Sequence, residues 1–190
     1  MKTKLTYADY QAAAKLLQCD VPTIRAVTEI ESGGSGFDKS DRCIIRFEPH
    51  LFSRKTGGIY DKSHPQLSFT PWRPGYPAGV NQSWQLFQVA TGLNANAAVQ
   101  STSWGLFQIL GQHALTCDCD TIGEFVKRME TSEAEQLILF CHFVKNTGLD
   151  DELRGYQWAL FARQYNGKQY AVNSYDTRLE AAYNRFRMAV

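Results

Sequence analysis

The sequence predicts a mainly α domain of the α+β class, in which a small β element follows the second helix. Three observations support this prediction. Apolar residues recur at helical spacing over most of the chain, and helix-capping signals precede several of these runs. A single β-like run, Cys43–Glu48, interrupts the helical patterns and ends at Pro49. At 190 residues, we expect one domain that spans residues 1–190.

The first two predicted helices precede the β element. Thr6 with Asp9 resembles a capping box, and it leads into a helical pattern over Tyr10–Leu17. Asp20 is a favourable N-cap residue for the second pattern, Ile24–Glu31. After this helix the chain enters a glycine-rich loop and then the β-like run.

An irregular segment separates the β element from the later helices. Residues 56–79 hold four of the six prolines and several glycines, which predicts a long loop. Thr121 with Glu124 and Ser132 with Glu135 predict two further helix starts. The later helical patterns cover Ser83–Ala90, Ala95–Gln100, Ile122–Glu130, Glu133–Asn146, Tyr156–Tyr165 and Ser174–Met188.

Composition and charge exclude several classes of protein. Hydrophobic content of 44% and aromatic content of 13% are typical of an ordered globular chain. A net charge of +1 and the lack of a glycine-rich phosphate loop argue against a nucleic-acid partner or a nucleotide cofactor. The N-terminal residues do not lead into an apolar run, so we expect synthesis in the cytoplasm without a signal peptide.

The five cysteines predict neither a disulfide framework nor a metal site. Their number is odd and their spacing irregular, which favours a reducing compartment. Cys117 and Cys119, with His113 upstream, could suggest metal ligands. A closed zinc site needs four ligands, so we interpret this segment as a surface loop without metal.

Glu31 is the first candidate for catalysis. Ile24, Val27 and Glu31 share one stripe of the second helix, and such a stripe is normally buried, whereas Glu29 lies off it. Burial raises the pKa of a carboxylic acid towards neutrality, as general-acid catalysis requires. The glycine-rich loop Ser32–Gly36 follows at once. The alternative is a helix-terminal glutamate that extends into solvent.

Glu48 is the second candidate carboxylate. Glu31 and Glu48 flank the glycine-rich loop, so a fold-back of the chain would bring them to opposite sides of one cleft. Glycoside hydrolysis uses such a pair, with one acid to protonate the leaving oxygen and one base or nucleophile. The alternative is that Glu48 forms an ion pair with Arg46 or Arg54.

Two further clusters carry side chains that suit a neutral, N-acetylated sugar chain. Ser103, Trp104 and Gln108 lie close together in sequence, and Tyr165 and Asn166 follow at the end of a helical pattern. Aromatic faces stack on sugar rings, and hydroxyl and amide groups pair with an acetamido group. Either cluster could instead be core packing or a helix cap.

Together, these motifs resemble the N-acetylmuramidase domain of bacteriophage and prophage endolysins. The resemblance runs from about Val21 to the end of the chain, with the motifs in order. The segments that carry it are Ile30–Phe37, Ile45–Phe52, Ser101–Ile109, Phe125–Val126, Tyr165–Gly167 and Asn173–Asp176. Leu110 and Lys168 depart from the residues that are usual in the family, methionine and proline respectively.

The resemblance implies a lysozyme-like fold, with a small β element after the catalytic helix, in a single N-acetylmuramidase catalytic domain. It implies lysozyme activity, that is, cleavage of the β-1,4 bond between N-acetylmuramic acid and N-acetylglucosamine in peptidoglycan during phage lysis. Glu31 would be the general acid and Glu48 the second carboxylate. Substrate-binding roles would fall to Ser103, Trp104, Gln108, Tyr165 and Asn166. We therefore expect a monomer, without metal or cofactor, that leaves the host cytoplasm and acts in the periplasm.

Two other functions remain open at the level of sequence. A lytic transglycosylase would use one glutamate as acid and then base, and would give 1,6-anhydro products. A non-catalytic protein could keep the fold and only bind peptidoglycan. Separately, the basic, amphipathic segment Arg178–Met188 could contact anionic membranes, although such helices usually pack on their own domain.

Overall fold

Helices form most of the computed structural model, which describes residues 2–167 and 170–189. Lys168 therefore lies outside the described residues. The helices are α1 (Tyr7–Leu17), α2 (Val21–Glu31), α3 (Pro49–Lys55), α4 (Gly79–Gln100), α5 (Ile122–Met129), α6 (Glu133–Asn146), α7 (Asp150–Arg154), α8 (Trp158–Asn166) and α9 (Tyr175–Met188). The strands are β1 (Ile45–Phe47), β2 (Thr102–Trp104) and β3 (Ile109–Leu110). Short 3-10 helices cover Gly111–His113, Leu115–Cys117 and Tyr170–Asn173.

The predicted helix starts are confirmed by side-chain caps. Thr6 Oγ1 accepts a hydrogen bond from the Asp9 amide, and Asp9 Oδ2 accepts one from the Thr6 amide at 2.7 Å. Asp20 caps α2 at 2.9 Å, and Thr121 and Ser132 cap α5 and α6. These bonds satisfy amide groups that have no partner inside the helix, so each fixes where its helix begins.

Three helical elements differ from the predicted pattern, and one of them is α3 (Pro49–Lys55), which no pattern predicted. The patterns over Ser83–Ala90 and Ala95–Gln100 are two parts of α4, which bends at Asn94 (φ −157°, ψ 96°). The Asn94 side chain accepts from the Ala97 amide at 2.9 Å and so restarts the helix after the bend. Helix α7 was not predicted, because its Asp150–Arg154 span is too short to show a helical period.

The strands form one small antiparallel sheet in the order β1-β2-β3. Ile45 pairs with Trp104, Phe47 with Thr102, and Ser103 with Leu110. One apolar core joins the inner face of the sheet to α1, α2, α6 and α8. A smaller core around Phe47 lies between the base of the sheet, α3 and α4. The chain thus has a larger helical part and a small β-containing part.

Helix α9 packs on the domain, against α2 and α8. Leu179 and Ala182 are buried in this contact, and Tyr183 donates a hydrogen bond to Asp20 at 3.1 Å. Within residues 2–167 and 170–189, no helix is both long and apolar enough to cross a membrane. The apolar stripe of α9 is therefore used for packing inside the domain.

Candidate active site

Glu31 is the last residue of α2, at the point where the chain turns into the glycine-rich loop. Ile24 and Val27, which share its stripe, are each 1% exposed, so the predicted buried face is confirmed. The carboxyl group is itself partly buried. Asn166 Nδ2, at the end of α8, donates a hydrogen bond to Glu31 Oε1 at 2.9 Å. The hydrogen-bond donor to the Glu31 carboxyl is therefore an uncharged amide.

Burial raises the pKa of Glu31 from its ordinary value of 4.5 to about 7. The hydrogen bond from Asn166 and the positive charge of Arg178 on α9 act in the opposite direction, and burial outweighs both. A carboxyl with this pKa holds its proton in a large fraction of molecules near neutral pH. It can therefore act as a proton donor.

The turn between β2 and β3 lies beside the loop that follows Glu31. The Gly33 amide donates to the Leu106 carbonyl at 3.1 Å, and the Gly105 amide donates to the Ile44 carbonyl at 2.8 Å. Gln108, at φ +50°, donates through its side-chain amide to the Gly105 carbonyl at 2.9 Å. These bonds fix the turn next to the end of α2.

Helix α6 supports both loops through Gln136, which is fully buried. Its Oε1 accepts from the Leu106 amide at 2.8 Å, and its Nε2 donates to the Met129 carbonyl at 2.7 Å. A Cβ atom at Gly36 would lie 1.9 Å from Gln136 Oε1, and one at Gly105 would lie 2.6 Å from its Cδ. Glycine is needed at both positions because the Gln136 amide occupies that space. Sequence reasoning missed Gln136, since nothing local marks its partners.

A groove of about 500 Å³ runs between the β2–β3 hairpin and helices α6 and α8. Its lining residues are Ser103, Phe107, Gln108, Ile109, Leu110, His113, Phe143, Thr147, Leu149, Gln164 and Tyr165. Tyr165 stacks on Phe161 with ring centroids 5.6 Å apart. Burial, and then the charge of nearby Glu31, raise the pKa of Tyr165. Glu31 is therefore near Tyr165, although its own side chain is not part of the groove lining.

Glu48 lies at the other end of the strand from the hairpin turn. It follows β1, and its amide donates to the Ser101 carbonyl at 2.8 Å. Arg46 Nε lies 2.9 Å from Glu48 Oε1, so the ion pair named as the alternative for Glu48 is present. His50 Nδ1 lies 3.5 Å from Glu48 Oε2, and neither atom has a hydrogen-bond partner among the described residues.

The titration of this second cluster is set by burial and by arginines. Burial raises the pKa of Glu48, and Arg46 opposes this change. Burial also lowers the pKa of His50, aided by the charges of Arg54 and Arg46, so the imidazole is neutral near pH 7. Glu48 thus has one carboxyl oxygen bound to a guanidinium and one without a hydrogen-bond partner among the described residues.

The structure brings together most of the predicted site residues and separates two of them. Ser103, Gln108 and Tyr165 line the groove, and Asn166 contacts Glu31. Trp104 requires a correction: its side chain is fully buried and packs edge-on against Phe87 and Trp84. It supports the inner face of the sheet and has no surface to offer a sugar. Glu31 and Glu48 are both absent from the groove lining, but Glu31 is joined to it through Asn166, the neighbour of the lining residue Tyr165.

The Cys117–Cys119 segment is a loop at the surface, as predicted, but its thiols face inwards. Both thiols are buried, at 0% and 2% exposure, and burial raises the pKa of each. Between them, Asp118 lies 2.6 Å from His142 on α6. In the described part of the chain, no three histidine, cysteine or carboxylate side chains are grouped as metal ligands. The segment is a surface turn whose two thiols are buried and whose Asp118 side chain is 55% exposed.

Comparisons with known proteins agree on one family. The sequence profile of the N-acetylmuramidase family matches residues 20–187. The structure is similar to the crystal structure of the Burkholderia AP3 phage endolysin, with a TM-score of 0.91 and 39% sequence identity. That match covers 97% of this chain and 72% of the endolysin chain. Among curated proteins, none is similar enough in sequence to match.

Proposed function

Because this chain belongs to the N-acetylmuramidase family, it is a peptidoglycan hydrolase, and we propose that Glu31 is its general acid. One observation carries the proposal: a buried carboxyl with a pKa of about 7 lies beside a groove. A general acid must hold a proton near neutral pH and lie next to the bound substrate. The glycan strand would lie in the groove, over Ser103, Gln108 and Tyr165.

Asn166 has two consequences for this chemistry. Its amide holds Glu31 Oε1 at 2.9 Å, which orients the carboxyl group. Glu31 gives its proton to the glycosidic oxygen and becomes a carboxylate, and a hydrogen bond to a charged acceptor is stronger than one to a neutral acceptor. Asn166 thus stabilises the state in which the bond has broken.

Glu48 is proposed as the second carboxylate. Arg46 and Glu48 are alternate residues of one extended segment, so they share the outward face of the sheet with Ser103. The separation between the carboxyl groups of Glu31 and Glu48 decides the stereochemistry, because a wider gap admits a water molecule and gives inversion, whereas roughly 5 Å allows direct attack and gives retention.

Product analysis tests the activity and its mechanism together. Purified peptidoglycan is digested, and the released fragments are examined by mass spectrometry and by NMR of the new anomeric centre. We expect reducing N-acetylmuramic acid ends, and a first-formed α anomer would identify inversion. A 1,6-anhydro end, lighter by one water, would instead identify a transglycosylase, and a first-formed β anomer would exclude inversion.

The biological setting proposed here follows from the family and from the phage source of the similar structure. We propose that the chain acts as one monomeric catalytic domain over residues 1–190. It would act on periplasmic peptidoglycan during lysis. Binding to whole sacculi without release of fragments would contradict the catalytic role and favour a wall-binding protein.

A further inference from the structure

A second cavity, of about 290 Å³, lies along another side of α2. Arg25, Thr28 and Ser32 line it from the α2 side, and Ser32 directly follows Glu31. Their spacing puts them on one stripe of the helix, roughly a quarter turn from Glu31. From Arg25 to Ser32 the helix axis rises about 10 Å. One end of the cavity therefore lies at Ser32, the residue after the acid, and Arg25 lies about 10 Å along the helix from it.

Among the charged side chains that line this cavity, Arg25 is free to bind an anionic ligand. The carboxylate of Glu133 already binds Lys4 at 3.0 Å, and Glu29 binds Arg185 at 2.5 Å. Within residues 2–167 and 170–189, no carboxylate forms an ion pair with Arg25. Its guanidinium lies 4.0 Å from the centre of the Phe186 ring, which holds it in place. Arg25 can bind an anion without losing an existing partner.

One hydroxyl group can donate to the same ligand. Thr28 also lines the cavity, but its Oγ1 is enclosed by protein and has no hydrogen-bond partner in the described structure, so the hydroxyl that can donate is that of Ser32. Ser32 Oγ accepts from the Gly34 amide at 3.3 Å, which leaves its own proton free to donate.

We propose that this cavity binds the carboxylate-bearing peptide stem of peptidoglycan. The inference rests on the proposed function, because the stem is attached to the muramic acid whose bond Glu31 would break. A stem that leaves this sugar beside Ser32 needs about three extended residues to span 10 Å, at roughly 3.3 Å each. One of its carboxylates then meets Arg25, and its apolar part lies against Phe186.

The test compares two substrates that differ only in the stem. Glycan strands are prepared with their peptides, and a portion is stripped of them with an amidase. On stem-bearing strands we expect Arg25→Gln to raise KM about tenfold with kcat unchanged, since one charge-assisted contact is lost from ground and transition states alike. On stripped strands Arg25→Gln should match wild type, and Arg25→Lys should keep part of the affinity.

Two further variants, Thr28→Val and Arg187→Gln, show whether the effect is specific to Arg25. Thr28→Val removes an enclosed hydroxyl that has no protein partner, so we expect an unchanged or higher Tm and a KM equal to that of wild type on both substrates. Arg187 also lies near an aromatic ring, 6.0 Å from the centre of Tyr183, but outside the cavity. Arg187→Gln is the matched control and should behave as wild type on both substrates.

A competition experiment adds a direct probe. The free tripeptide L-Ala-D-Glu-diaminopimelate should inhibit wild type and Arg187→Gln but not Arg25→Gln. Equal losses on both substrates, or inhibition of Arg25→Gln by the tripeptide, would overturn the stem site and leave the proposed hydrolysis intact. If wild type released no fragments from either substrate, the proposed function itself would fail.

Discussion

The two candidate acids are both glutamates that burial pushes towards the protonated form, but they differ in the group that meets the carboxyl. Glu31 meets the uncharged amide of Asn166, and its pKa reaches about 7. Glu48 meets the guanidinium of Arg46 at 2.9 Å, which favours the charged form. Burial raises the pKa of both glutamates, so burial alone does not distinguish a proton donor from a proton acceptor. The charged partner of Glu48 favours its ionised form, whereas Glu31 has an uncharged partner.

The largest effect is expected at the acid itself. Glu31→Gln keeps the size of the side chain and removes the proton donor, so kcat/KM on peptidoglycan should fall by about 10³-fold. Glu180→Gln, on the exposed side of α9, is the control and should remain fully active. If Glu31→Gln kept more than a tenth of the wild-type activity, the distinction between the two glutamates would be lost.

A second loss of activity, smaller than that of Glu31→Gln, is expected when Glu48 is replaced. Glu48→Gln removes the proposed base and leaves Arg46 without its partner, so kcat should fall by about 10²-fold. Arg46→Gln disturbs the ion pair but keeps the Glu48 side chain, so it separates a catalytic role of Glu48 from a structural one. If both variants lost activity equally, Glu48 would serve only as the structural partner of Arg46.

The stability of the fold should also separate the two sites. The pKa of Glu31 is raised from 4.5 to about 7, so the unfolded chain releases this proton first, and the folded state loses stability as pH rises between these values. Glu31→Gln removes this cost, and the free energy of unfolding at pH 8 should increase by about 1–3 kcal/mol. Thermal unfolding should show no gain at pH 4. A gain of the same size at both pH values would contradict the raised pKa.

The smallest effect is a shift in pH dependence. Asn166 lowers the pKa of Glu31 through its hydrogen bond, so Asn166→Leu should raise that pKa. The alkaline limb of kcat/KM, which falls as the acid loses its proton, should then move to higher pH. Asn184→Leu, at an exposed position of α9, should leave the profile in place. A shift of the Asn166→Leu limb to lower pH would show that the limb reports another group.

Much of the fold could be predicted from sequence because its signals are local. The caps at Thr6 and Ser132 and the spacing of Ile24 and Val27 fix helices through neighbours only a few residues away. The join of two patterns into α4 could not be predicted, since Asn94 both breaks and restarts the helix. Tertiary packing decides whether two such segments remain one bent element.

The site was predicted less completely, for two physical reasons. Ser103 and Trp104 were assigned together to substrate, but adjacent strand residues face opposite sides of a sheet, so only Ser103 reaches the groove. Gln136 and Arg178 act on the site from helices that are distant in sequence, and no local pattern marks such contacts. The role of Glu31 was predicted from its position on a buried stripe.

The most direct test of the central claim is the titration of Glu31 itself. Carboxyl ¹³C signals of glutamate-labelled protein are followed by NMR from pH 3 to pH 9 and compared with those of Glu31→Gln. The account predicts one glutamate signal that titrates near pH 7 and is missing from the variant. If the signal that disappears with Glu31→Gln titrates at the ordinary value near 4.5, Glu31 is ionised at neutral pH and cannot be the proton donor.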